Sequence, residues 1–175
     1  MQEFPLTLAT ILRHGTEVHG DGRVITATAD GSREQTYADL GRRAARLANA
    51  LRGLGISGDQ RVGTFQWNNA EHLEAYLAIP SMGAVLHTLN IRLFPEQLTY
   101  IANHAEDKVV IVDDSLVDLL AKHLATFETV EHVVVAGPHA ASANLDGLRA
   151  SGKQVHLYDD LLDAAAVLAE QPLPG

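Results

Sequence analysis

The chain contains no cysteine. That excludes disulfides, thiolate metal ligands and a cysteine nucleophile within its 175 residues. It also fits a reducing compartment. Basic residues are few: 13 Lys and Arg stand against 22 Asp and Glu, for a net charge of −9. Nucleic-acid binding needs a basic face that releases counterions, so no nucleic-acid partner is expected. The arginines gather in only one place, Arg42, Arg43, Arg46 and Arg52, which reads as the solvated face of a helix. No apolar run approaches the ~18–20 residues that a spanning helix needs. Residues Met1 to His14 also lack the basic stretch and long apolar run of a secretory leader. A soluble, cytoplasmic chain with no membrane span is therefore expected. There is no internal repeat and no low-complexity run.

What is present suits a packed core. The chain is long enough for one domain, and its hydrophobic fraction of 46% is ordinary for a folded protein. Leu8, Ile11 and Leu12 fall at helical spacing within 7–14. Val24, Ile25, Thr26 and Thr28 form a β-rich run, Asp30-Gly31 reads as a turn, and Arg33 to Thr36 can return as a second strand. Thr36 can cap the next helix, with Asp39 as its capping-box partner. Leu40, Ala44, Leu47, Leu51 and Leu54 then form one apolar stripe, closed by Gly55.

After a turn at Gly58-Asp59, strand and helix alternate. Val62 to Gln66 reads as a short strand. Ala70 to Met82 reads as a helix with Leu73, Tyr76, Leu77 and Ile79 on its apolar side, ended or kinked by Pro80. Ala84 to Thr88 reads as a buried strand, and Pro95 opens a helix carrying Leu98, Ile101 and Ala102. Lys108 to Val112 and His132 to Ala136 are continuous apolar runs, the kind a parallel sheet covered on both faces requires. Ser115 is the expected cap of a helix running to Ala125. Ala140 to Gly152 reads as a surface loop or weak helix, and Gln154 to Tyr158 as a further strand. This pattern predicts an α/β fold: a mostly parallel sheet with flanking helices and an N-terminal β-hairpin. One domain over 1–169 is expected, with 170–175, holding two prolines and a glycine, as a linker-like tail.

The segment from Asn68 to Asp114 carries a more specific message. It reads NNAEHLEAYLAIPSMGAVLHTLNIRLFPEQLTYIANHAEDKVVIVDD. Its core, Met82 to Leu93, together with Gln35 to Leu40 (QTYADL), resembles the amino-terminal part of medium- and long-chain fatty acid–CoA ligases of the adenylate-forming superfamily. The resemblance covers about 36–136. It implies the partial N-terminal domain of that fold, with ATP, Mg2+ and CoA as reactants or cofactors of a whole enzyme and a fatty acid as its substrate. It also implies a homodimer as a candidate assembly. The family's Thr/Ser/Gly-rich phosphate loop, its adenine-binding aromatic motif, its ribose-binding aspartate, its magnesium-associated glutamate and its late catalytic lysine do not occur here. No catalytic or metal-binding residue is therefore expected in this chain. It reads as an N-terminal portion of an ATP-dependent fatty acid–CoA ligase, inactive by itself. Two alternatives stay open: a portion of a fatty acyl-AMP ligase, or a complete non-catalytic α/β binding module.

The resemblance places Asn90, Ile91 and Arg92 beside the passage taken by CoA. Arg92 can meet a CoA phosphate as a bidentate cation, or it can tie its own loop to a carboxylate or to backbone carbonyls. His87 reads as a hydrogen-bonded core histidine, since carboxylate attack on the ATP α-phosphate needs no acid–base histidine. His72 and Glu74 have the HxE form of zinc deaminases, but no cysteine pair follows. His104, Glu106 and Asp107 are explained by capping and surface salt bridges, and Asp113-Asp114 by helix capping.

Overall fold

The computed structural model describes residues 7–29 and 31–168. The chain opens with helix α1 (Leu8–Val18) and an antiparallel hairpin of β1 (Arg23–Thr28) and β2 (Gly31–Thr36). Helix α2 (Tyr37–Gly53) follows, and then five strands alternate with helices: β3 (Arg61–Phe65), α3 (Ala70–Ser81), β4 (Val85–Thr88), α4 (Pro95–Ala105) and β5 (Val109–Asp113). The series continues through α5 (Val117–Ala121), β6 (His132–Ala136), α6 (Leu145–Arg149), β7 (Gln154–Leu157) and α7 (Tyr158–Leu168). Strands β3 to β7 form one parallel sheet in the order β4-β3-β5-β6-β7. The hairpin is a separate two-stranded sheet. Among the described residues, no helix is long and apolar enough to cross a membrane. The proposed tail at 170–175 and Asp30 of the hairpin turn lie outside the described residues.

The alternation within the central strands divides the core in two. Val62, Val109, Ile111 and Val134 point to the layer of α2, α3 and α7, with Leu47, Leu51, Ile79 and Leu162 packed on them. Phe65, Val110, Val112, Val133 and Val135 point the other way, onto Leu98, Val117, Leu120 and Leu148 of α4, α5 and α6. Strand β5 is buried along its whole length, as its unbroken apolar run requires. Helix α2 begins as its sequence predicts: the Asp39 N–H donates to Thr36 Oγ1 at 3.0 Å, and the Thr36 N–H donates back to Asp39 Oδ2 at 3.2 Å.

Three expectations need correction, and one element is new. Strand β4 is an edge strand, not a buried one, and Val85 is 43% exposed. Helix α3 is turned only in part as expected: Ile79 is buried and Leu77 packs against the core, but Leu73 and Tyr76 are exposed, and Glu71, His72 and Glu74 are buried with Ala75 and Ala78. Asp113, not Ser115, caps the turn before α5; its Oδ1 accepts from the Ser115 N–H at 3.1 Å and the Ser115 hydroxyl at 2.6 Å. Helix α7 has no counterpart in the sequence reading, which carries the last strand to Tyr158, the first residue of this helix.

Candidate functional site

Strand β3 leads through α3 to its outer neighbour β4, and β4 then leads through α4 back across β3 to β5. The winding therefore reverses between β3 and β5. In open α/β sheets, ligands bind outside the carboxyl ends of strands at such a reversal. Two loops meet there, Gln66–Asn69 after β3 and Asp113–Ser115 after β5.

Side chains strap these loops together. The Trp67 indole N–H donates to Ser115 Oγ at 3.0 Å, and the Asn69 amide donates to Asp113 Oδ2 at 2.8 Å. Burial pushes the Asp113 carboxyl above its ordinary range, and its bonds from Ser115 work against that rise. Asn69 also caps α3, accepting from the His72 N–H at 2.9 Å. Both amide atoms of Gln66 are buried and have no hydrogen-bond partner among the described residues. On the next loop, Gly137 has φ +118°, and a Cβ there would lie 2.5 Å from Asp114 Oδ2. That oxygen accepts from the His139 N–H at 2.6 Å, so glycine keeps the loop over β6 seated on Asp114. The sequence offered one clue to this rim: an amide-rich run, QWNN, directly after an apolar strand.

Asn90, Ile91 and Arg92 follow β4, on the far side of β3 from the reversal. The Arg92 N–H donates to Asn90 Oδ1 at 2.9 Å, which tightens the loop as an Asx turn. Ile91 packs against the α4 side of the core, and Asn90 and Arg92 are exposed. Among the described residues, the Arg92 guanidinium makes no ion pair and no hydrogen bond, so nothing there ties the loop through that side chain.

His87 stands on β4, half-buried, with Nδ1 2.9 Å from Asp107 Oδ2. Asp107 is fully buried, which corrects its reading as a surface residue. A Cβ on Gly63 would sit 3.1 Å from that carboxylate, so the bare glycine of β3 makes its room. The hydrogen bond to Asp107 raises the His87 pKa against the effect of burial. His72 differs: burial lowers its pKa, and its ring bonds Thr64 Oγ1 at 3.0 Å and the Trp67 carbonyl at 3.2 Å. Neither histidine faces the reversal with a free ring nitrogen suited to proton transfer. Among the described residues, no three His, Asp or Glu side chains converge as a metal site requires.

A second polar cluster ties the hairpin, α2, α3 and α7 together. Glu74, with no exposed surface, accepts from Arg43 Nε at 2.7 Å, the Tyr158 hydroxyl at 2.7 Å and the Gln35 amide at 3.2 Å. Burial raises the Glu74 pKa, and Arg43, Tyr158 and Gln35 oppose the rise. Burial works against the Arg43 cation, but Glu74 and Asp159 outweigh it and hold its pKa up. Arg33 forms a bidentate pair with Glu71 at 2.8 and 3.0 Å. The arginines of α2 are thus not a bare solvated face: Arg43 reaches across to Glu74 and Asp159, and Arg42 pairs with Asp39.

Comparison with known proteins matches this arrangement to one family. Residues 12–170 match the family described as AMP-binding enzyme. The 3-methylmercaptopropionyl-CoA ligase of Ruegeria pomeroyi is 39% identical over 147 residues, which is 82% of this chain and 27% of that protein. The long-chain-fatty-acid–CoA ligase of Thermus thermophilus is 39% identical over 155 residues, 88% of this chain and 29% of that protein. The adenylation domain of a carboxylate reductase from Mycobacterium chelonae shares the fold, with a TM-score of 0.81 at 18% identity, over 99% of this chain and 31% of that one. The chain thus spans less than a third of the length of the curated relatives it matches. The parallel sheet, its reversal and these similarities lead to one conclusion: the chain belongs to the AMP-binding enzyme family of adenylate-forming enzymes, and it resembles their amino-terminal portion.

Proposed function

We propose that this chain supplies the amino-terminal scaffold of an ATP-dependent fatty acid–CoA ligase. In that reaction a fatty-acid carboxylate oxygen attacks the α-phosphorus of ATP, and the bond to pyrophosphate breaks. The CoA thiolate then attacks the carbonyl of the acyl-adenylate, a thioester forms and AMP leaves. The observation that carries the reading is the 39% identity to a long-chain-fatty-acid–CoA ligase over 88% of the chain. The same identity to 3-methylmercaptopropionyl-CoA ligase favours a second reading, in which the acid is short and carries a thioether.

The residues described here have limited parts in this chemistry. Among the described residues, no cluster of His, Asp or Glu fits a Mg2+ site. The sheet and its straps hold one wall of the substrate region. In this reading Arg92 meets a phosphate of CoA, with Asn90 and Ile91 shaping its loop; what supports it is that Arg92 is exposed at the carboxyl end of β4 with no carboxylate partner among the described residues. The test uses the full-length product of the native gene. It should make a CoA thioester from a medium- or long-chain fatty acid faster than from 3-methylmercaptopropionate; the reverse order would favour the second reading. Arg92→Ala should raise the KM for CoA by about tenfold, the loss of one charge-assisted contact, and leave fatty-acid-dependent pyrophosphate exchange unchanged. An unchanged KM would remove Arg92 from the CoA path.

A further inference from the structure

Among the described residues, strand β7 ends the parallel sheet and pairs only with β6. It is held differently on its two faces. Val155 and Leu157 pack into the apolar layer of α4, α5 and α6. The opposite face of β7 carries Gln154 and His156, and His132 stands beside them on β6. Strand alternation places His132, Val134 and His156 on the side of α2, α3 and α7. His132 Nδ1 and His156 Nε2 lie 3.1 Å apart, with ring centres 5.3 Å apart. Among the described residues, this is the only side-chain hydrogen bond that joins the two strands.

Such a pair tolerates one proton but not two. With both rings neutral, or with one protonated, one nitrogen donates and the other accepts. With both protonated, each nitrogen is a donor, no acceptor remains, and two like charges meet at bonding distance. Burial and the neighbouring His132 ring lower the His156 pKa. The surrounding charges do not relieve the pair. Lys108 and Glu131, just before β5 and β6, lie 3.6 Å from each other. Arg149 of α6 pairs with Asp146, Asp163 of α7 lies 3.9 Å from Arg46 of α2, and the Lys153 ammonium donates to the Phe127 carbonyl. Asp160 of α7 borders the groove beside His156, but it is exposed and bonds neither ring.

We infer that His132 and His156 form an acid-sensitive latch, which holds β7 and α7 on the sheet while at least one ring is neutral and releases them when both are protonated. Strand β7 runs directly into α7, whose first residues, Tyr158 and Asp159, bond Glu74 and Arg43. Release of the strand therefore withdraws two partners from the buried cluster that ties the hairpin, α2 and α3 together. The sign follows from the lowered pKa: the released strand binds this proton more tightly than the seated one. The latch is complete above the ordinary imidazole value of ~6.5 and is lost as pH falls through the folded value of His156. His87, whose partner is a carboxylate, responds to pH in the opposite sense. The latch does not depend on which acid the enzyme activates.

Amide hydrogen exchange read by peptide mass spectrometry tests this on the full-length product of the native gene, with each rate normalised to the unstructured chain at the same pH. Between pH 7.5 and pH 5, protection of the peptides covering β7 and α7 should fall about tenfold relative to those covering β3 and β5, as uptake of one proton on local opening allows. In His156→Gln, whose amide can take the place of Nε2 without binding a proton, that relative fall should disappear. His132→Asn replaces Nδ1 in the same way, should give the same result, and decides the matter if His156→Gln does not fold. His72 and Glu74 also titrate in the fold, but they are present in every protein compared, so their effects cancel. An equal relative fall in the natural protein and in either variant would overturn the inference. So would no relative fall in the natural protein, with β3, β5 and β7 losing protection together or not at all.

Discussion

Arg43 shows most clearly what one residue decides in this protein. Read along α2, it is one of four arginines on a polar helix. In the fold its Nε meets Glu74, 31 residues away, and its Nη2 meets Asp159, 116 residues away. Its guanidinium also lies 5.6 Å from the centre of the buried Tyr158 ring. Periodicity compares a residue only with neighbours on its own helix, so it could not find these partners. Taking away one partner of a buried ion pair leaves the other charge without compensation. Arg43→Met should therefore destabilise the chain by about 3–5 kcal/mol. Replacing both Arg43 and Glu74 with Met should cost less than Arg43→Met alone, because the stranded carboxylate is then gone. Urea unfolding of the two variants measures this, and a shift under about 0.5 kcal/mol for Arg43→Met would mean the pair does not bear on stability. His72 and Asp107 teach the same lesson as Arg43. Each is polar in sequence and buried in the fold, because Thr64 Oγ1 and the Trp67 carbonyl await one and the His87 ring awaits the other.

Among the elements, the edge strand β4 and the helix α3 depart furthest from their sequence patterns. The run Ala84 to Thr88 is apolar enough for a central strand, but its position is set by where α3 delivers it, outside β3. The edge is anchored from within by His87, whose bond to Asp107 links β4 to the start of β5 behind Gly63. That bond makes the anchor depend on pH. The His87 pKa is raised in the fold, so the folded chain holds this proton more tightly than the unfolded chain does. Its stabilisation is complete below the ordinary imidazole value of ~6.5 and is lost as pH rises through the folded value. The stability difference between the natural chain and His87→Asn should therefore be largest near pH 6 and shrink towards pH 9. A difference that stays constant or grows over that range would contradict the assignment. In α3, the pattern correctly marks a helix and places Leu77 and Ile79 against the core, but it misplaces Leu73 and Tyr76, which are exposed. The inner side is fixed by the cations and hydroxyl waiting at Arg33, Arg43 and Tyr158, which lie far away in sequence.

For the molecule as a whole, two apolar layers on a five-stranded parallel sheet give the chain a core on both faces. The 175 residues contain no Thr/Ser/Gly-rich run ending in Lys-Gly, and the proposed reading gives them a scaffold role. By itself the chain should not exchange pyrophosphate into ATP in the presence of fatty acid, and measurable exchange would show that the residues described here hold more of the chemistry than this reading allows. The sequence by itself determined the class of fold, the order of its elements as far as β7 and the family. Those follow from local information: the apolar runs of β5 and β6, the Thr36–Asp39 capping box, and the specific string from Met82 to Leu93. It also singled out the Asn90–Arg92 loop, although only as a consequence of resemblance. The tertiary structure alone decided which strand lies at the edge, which face of α3 turns inward, which arginine is consumed in a buried pair, and where the loops of β3 and β5 meet. Each of these depends on contacts between residues tens of positions apart. A pattern with a period of two or 3.6 residues records which side of an element differs from the other, and only the partners supplied by the fold decide which of those sides is buried.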